Sequence, residues 1–90
     1  MPDAFILKPN GRQVPVKNLG WLLKNWKEVK SFELHSKGLI DGYMIAHLRD
    51  GGSYHSAWNS KSIMLDWIKR PVFYGLPYSL DGRAMGEITK

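Results

Sequence analysis

The chain has no cysteine. That excludes a disulfide framework and any thiolate zinc site, and it fits a reducing compartment. Apolar runs of the roughly 18 residues that a membrane helix needs are missing too. The opening Met1-Pro2-Asp3-Ala4-Phe5-Ile6-Leu7 has neither the basic flank nor the apolar length of a secretory leader. A cytoplasmic protein with no membrane partner is the expectation. Acids are few, eight against thirteen Lys and Arg, for a net charge of +5. The imbalance is local. Residues 1–30 carry six cations (Lys8, Arg12, Lys17, Lys24, Lys27, Lys30) against Asp3 and Glu28, which is +4, whereas residues 31–90 carry seven against six, which is +1. A basic surface speeds encounter with an acidic protein or with nucleic acid, and it serves solubility equally well.

Catalytic signatures are scarce as well. The serines (Ser31, Ser36, Ser53, Ser56, Ser60, Ser62, Ser79) include no Gly-x-Ser-x-Gly elbow, and capping or turn roles account for them. Asp66 and Glu28 stand alone on helix surfaces, so no carboxylate pair suggests acid–base chemistry. Gly51-Gly52 lacks the following Lys-Ser/Thr of a phosphate loop. No catalytic residue and no cofactor is expected. His35, His47 and His55 are the only histidines. If Asp50-Gly51-Gly52 forms a three-residue turn, His47 faces His55 across a hairpin, and His35 on a neighbouring strand would complete a zinc-binding set. A one-residue slip sends one ring to the other face, so ordinary strand histidines and no metal are the expectation.

What is present is apolar and aromatic. At 90 residues, 43% hydrophobic, with four Trp, four Tyr and three Phe, the chain is expected to form a single domain over 1–90, whose large rings bury much area per ordered residue. Residues 4–8 read as a strand, Pro9-Asn10-Gly11-Arg12 as a turn, and 13–16 as a return strand that Pro15 places on a sheet edge. Asn18 reads as the N-cap of a helix to about Lys30, with Leu19, Leu22, Leu23, Trp26 and Val29 as its buried stripe. At ~100° per residue Trp21 falls opposite that stripe, beside Lys24. Ser31–Ser36 and Tyr43–Arg49 alternate as strands, and Ser53–Trp58 reads as a hairpin return. Asn59 or Ser60 caps a second helix with Ile63, Met64, Trp67 and Ile68 inward, which Pro71 stops. A packed loop around residues 73–77 and a short strand near 84–88 complete the chain. The fold class expected is α+β: a mainly antiparallel sheet with two helices packed on one face. Trp26 and Trp67 are expected in the core, with Trp58 core-like, and the sheet's other face remains open for binding.

Two segments carry a resemblance. Trp58-Asn59-Ser60 with Leu65-Asp66-Trp67-Ile68-Lys69-Arg70-Pro71-Val72-Phe73-Tyr74-Gly75-Leu76-Pro77, together with Asn18-Leu19-Gly20-Trp21-Leu22-Leu23-Lys24-Asn25-Trp26, resembles small accessory proteins of bacteriophages. Within the C-terminal part, Phe73-Tyr74-Gly75-Leu76-Pro77, Ser79, Gly82-Arg83, Ala84-Met85 and Glu87-Ile88 resemble a phage anti-CRISPR protein of the type I-F class. This chain departs from it by an insertion between Trp67 and Phe73, a deletion after Arg83 and an added N-terminal hairpin. The resemblance implies a non-enzymatic inhibitor, acting in the host cytoplasm, that binds a host protein or ribonucleoprotein complex.

The binding residues expected are Trp21 with Lys17, Lys24 and Lys27, then Tyr43 and Tyr54 across the hairpin, Tyr74 and Arg83. Aromatics interleaved with cations also suit single-stranded nucleic acid, with rings stacking on bases. For Trp21 the competing expectation is a satellite core under the N-terminal hairpin.

Overall fold

A computed structural model of the protein describes residues 4–17 and 19–89; the expected Asn18 cap lies outside them. The fold is α+β. A hairpin of β1 (Phe5–Leu7) and β2 (Gln13–Pro15) leads to helix α1 (Gly20–Lys24) and a 3-10 turn (Trp26–Glu28). Strands β3 (Val29–Lys37), β4 (Asp41–Leu48), β5 (Ser53–His55) and β6 (Asn59–Ser60) follow. Helix α2 (Lys61–Ile68), a 3-10 turn (Pro71–Phe73), β7 (Pro77–Leu80) and β8 (Arg83–Glu87) complete it. All eight strands form one sheet in the order β2-β1-β5-β4-β3-β7-β8, with β6 also on β4. The pairings are antiparallel except β3 with β7. No helix among the described residues is long and apolar enough to cross a membrane.

Period-2 alternation divides the sheet into two faces. Phe32, Leu34, Met44, Ala46, Leu48, Tyr54 and Ile6 are buried on one, in a single cluster with Leu22 of α1 and with Met64 and Ile68 of α2. Both helices therefore cover the same face. Burying each such side chain contributes about 1.5–3 kcal/mol, so this cluster supplies most of the driving force. Ser60 caps α2 by accepting the Ile63 N–H at 3.5 Å.

The first helix is shorter than its sequence pattern. The side-chain amide of Asn25 donates to the Trp21 carbonyl at 2.9 Å, and the Asn25 backbone N–H donates to the same oxygen. The helix stops there, and Val29 enters β3 instead of ending the stripe. A register shift between Val29 and Ser31 resets the strand's parity, so Val29 and Phe32, three apart, are both buried. That three-residue spacing mimics a helix in sequence. Trp26 consequently lies in the 3-10 turn, 38% exposed with the Lys27 ammonium 5.5 Å from its ring centre, and is not core. Trp67 is half-buried against Phe73.

The C-terminal segment is a hairpin, not a loop with one strand. Asp81 (φ 51°) and Gly82 (φ 84°) form its two-residue turn, the positive-φ pair that the twist of a hairpin favours. Asp81 accepts the Ser36 N–H at 2.7 Å and the Ser36 hydroxyl at 2.6 Å, fixing β7 beside β3. Those hydrogen bonds hold its carboxyl below the ordinary range.

Candidate functional site

The returning strand that the sequence places at 53–58 breaks after His55. The Ser56 hydroxyl accepts the Met44 N–H at 2.8 Å while the Ser56 N–H donates to the Met44 carbonyl at 2.9 Å. With β4 already satisfied, Ala57 and Trp58 arch away before Asn59 and Ser60 rejoin it opposite Gly42 and Asp41. Trp58 is 53% exposed, contrary to its expected core position, and the Lys37 ammonium lies 4.8 Å from its ring centre.

This arch forms one wall of a groove of about 350 Å³. Leu19 and Gly20 at the start of α1, and Met64 and Trp67 of α2, line it with Ala57, Trp58 and Asn59. Tyr54 also lines it and is itself fully buried. Trp21 stacks on Tyr54, ring centres 6.1 Å apart and planes within 7°. Burial pushes the Tyr54 phenol up to about 12.

Outside the groove, beyond the arch, further large apolar side chains are exposed. In the β3–β4 turn Leu39 is 93% and Ile40 73% exposed, and on the first turn of α2 Ile63 is 53% exposed. The Ile40 carbonyl accepts the Lys61 N–H at 2.8 Å, and Asn59 pairs with Gly42, so turn, arch and helix start meet at one end of the molecule. Leu39, Ile40, Trp58 and Ile63 thus share one end, flanked by Lys37 and Lys61. No family model matches this chain, and neither the curated proteins nor the solved structures give a match.

The open face of the sheet carries all three histidines. The β4–β5 turn is Arg49-Asp50-Gly51, closed by the Leu48 N–H on the Gly52 carbonyl, one residue earlier than expected. His47 therefore faces Ser53, not His55, and His55 faces Ile45. An offset of two leaves both rings on one face. His47 Nε2 lies 2.6 Å from Glu33 Oε2, His35 stacks on Tyr43 at 4.9 Å, and His55 stacks on Phe5 at 4.7 Å. Among the described residues no three His, Cys, Asp or Glu side chains are grouped to hold a metal ion.

One serine does meet a base: Ser53 Oγ lies 2.8 Å from His55 Nε2. Residues two apart share a strand face, which brings the two side chains together. Glu33, the nearby carboxylate, pairs with His47 instead, and Ser53 is buried. The third member of a triad is thus not assembled at His55, and the hydroxyl lacks open access.

Of the expected binding residues the structure brings together Trp21 and Tyr54, as a stack facing the helices and not as a free surface. Trp21 is half-buried, so the satellite-core expectation describes it better than the exposed one. Tyr43 lies on the opposite sheet face from Tyr54, so the two do not form a pair across the hairpin. Lys17, Lys24 and Lys27 are exposed around α1. Tyr74 is exposed after the second 3-10 turn and Arg83 on the edge strand β8. The exposed apolar end was missed. Its signal is Leu39-Ile40 directly after Lys37-Gly38: two large apolar residues in a hairpin turn, where polar ones are the rule.

Proposed function

We propose that this protein is a non-catalytic binding protein that docks a protein partner on its apolar end. The observation that carries this is the joint exposure of Leu39, Ile40, Trp58 and Ile63 on elements tied to one another by backbone hydrogen bonds. Large apolar side chains grouped in this way gain nothing for folding, and such patches mark interaction surfaces. Lys37 and Lys61 beside them favour a partner with an acidic rim around an apolar centre, the common layout of protein interfaces. The finer reading is an inhibitor of a host protein or crRNA-guided ribonucleoprotein in the host cytoplasm; it rests on the C-terminal resemblance, with Tyr74 and Arg83 exposed for contact.

The test is the variant Leu39→Asp/Ile40→Asp. Exposed substitutions of this kind change stability by about 0.5 kcal/mol or less, so the melting temperature should hold while capture of the host partner from lysate falls at least tenfold. Capture equal to wild type would remove the apolar end from the interface. A second reading, single-stranded nucleic-acid binding, is favoured by the stacked His35–Tyr43 pair on the open sheet face. It predicts affinity for random single-stranded DNA that drops steeply between 50 and 200 mM salt and that Tyr43→Ala abolishes.

A further inference from the structure

Tyr54 is the largest fully buried side chain, and its hydroxyl has no hydrogen-bond partner among the described residues. A phenylalanine would fill the same space without leaving a polar atom unpaired, and buried polar groups in folded proteins are almost always paired. Tyr54 also lines the groove between the arch and the two helices. With its pKa raised to about 12, the hydroxyl keeps its proton and acts as a donor near neutrality. The walls are mainly apolar and aromatic, with Leu19, Met64, Trp58 and Trp67 prominent and Ser56 and Asn59 adding polar atoms, and none of the described lining residues is charged. The cavity of about 350 Å³ lies at the lower end of the roughly 300–1,000 Å³ typical of small-molecule sites.

We propose that this groove binds a small uncharged molecule, a flat apolar ring bearing a carbonyl-type acceptor that takes the Tyr54 hydroxyl hydrogen bond while the ring lies against Trp58 and Trp67. The site is separate from the protein-docking end, which it meets only at Trp58. Because the hydroxyl is closed to solvent, a ligand reaches it by displacing a lining ring. Trp58 is the ring with most freedom, since it stands on the arch, 53% exposed, with the Lys37 ammonium against its face.

The experiment is an amide NMR titration of the full chain with acetophenone and with ethylbenzene, which has the same ring and no acceptor. Acetophenone should shift the amides of Ser56, Ala57, Asn59 and Met64 and bind roughly five- to tenfold more tightly than ethylbenzene. Tyr54→Phe should melt at or above the wild-type temperature and bind the two compounds equally. Leu39→Asp/Ile40→Asp should retain the acetophenone preference, which keeps this site independent of the docking end. Shifts confined to other residues, no shifts at all, or a preference that survives in Tyr54→Phe would each overturn the proposal. So would a fall of more than about 5 °C in the melting temperature of Tyr54→Phe, because the hydroxyl would then already be satisfied by a trapped water or a neighbouring group.

Discussion

His55 is pulled in two directions by its neighbours. Its ring stacks on Phe5 and loses water there, and His47 on the same face repels a second positive charge; both hold its pKa below the ordinary imidazole value, against a smaller opposing pull from Glu33. A histidine whose folded pKa is depressed binds fewer protons folded than unfolded, so its contribution to stability is intact above the unfolded value of about 6.5 and is lost as pH falls below it towards the folded value. The melting temperature should therefore decline between pH 7.5 and 5.5. His55→Phe keeps an aromatic ring against Phe5 and removes the titration, so its decline should be smaller. Equal declines in both proteins would show that His55 is not the group responsible. Three histidines on one face was one arrangement the strand pattern allowed, but a one-residue slip would have turned one ring over. Their partners depended on where the turn begins: Arg49 or Asp50 as its first residue moves His47 from Ser53 to His55, and no side-chain pattern distinguishes those two.

At the scale of elements, legibility followed the length of the local signal. Residues 61–68 carry a cap, a stripe and a terminating proline, and α2 forms where those signals place it. Asn10-Gly11 marks the first hairpin, and the Gly11 φ of 87° answers to it. Asp81-Gly82 is an equally strong hairpin signal, yet it sits in a segment whose Gly and Pro content suggested a loop, and β7 was missed. The stripe through Val29 misled for a different reason: a bulge at Lys30 makes a strand bury residues three apart. Sequence gives equally little sign of how tightly β3, β4 and β6 close around Gly42. A Cβ on Gly42 would lie 2.5 Å from the His35 carbonyl oxygen and 3.1 Å from Lys61 Cγ. Backbone cannot give way as a side-chain tip can, so Gly42→Ala should cost about 1–3 kcal/mol, the range for overpacking, read as a lower urea midpoint at unchanged slope. A midpoint at or above wild type would mean that the β3–β4–β6 junction relaxes freely.

For the whole molecule, alternating strands and two amphipathic helices were enough to anticipate the α+β class. The sheet order was not accessible, since the parallel β3–β7 pairing joins residues about 46 apart in sequence, and no local pattern encodes such a contact. Phe73 holds that arrangement. It is fully buried, meets Phe32 edge-on at 5.0 Å and lies 5.7 Å from Trp67, so one ring links α2 and β3 just ahead of the C-terminal hairpin. Trp67, whose position in the stripe suggested the deeper burial, is only partly buried, with the Arg70 guanidinium 5.2 Å from its ring centre. Truncating a buried phenylalanine costs about 3–5 kcal/mol, a large part of the roughly 5–15 kcal/mol that stabilises a domain. Phe73→Ala should accordingly leave a barely folded protein at 25 °C. Trp67→Ala should lose less, because its ring is only partly buried and its removal widens the groove wall without leaving an enclosed void. Urea denaturation of both variants, followed by far-UV circular dichroism, compares them directly. If Trp67→Ala proves as costly as Phe73→Ala, the groove wall and not the Phe32–Phe73 contact is the main support of this end of the core.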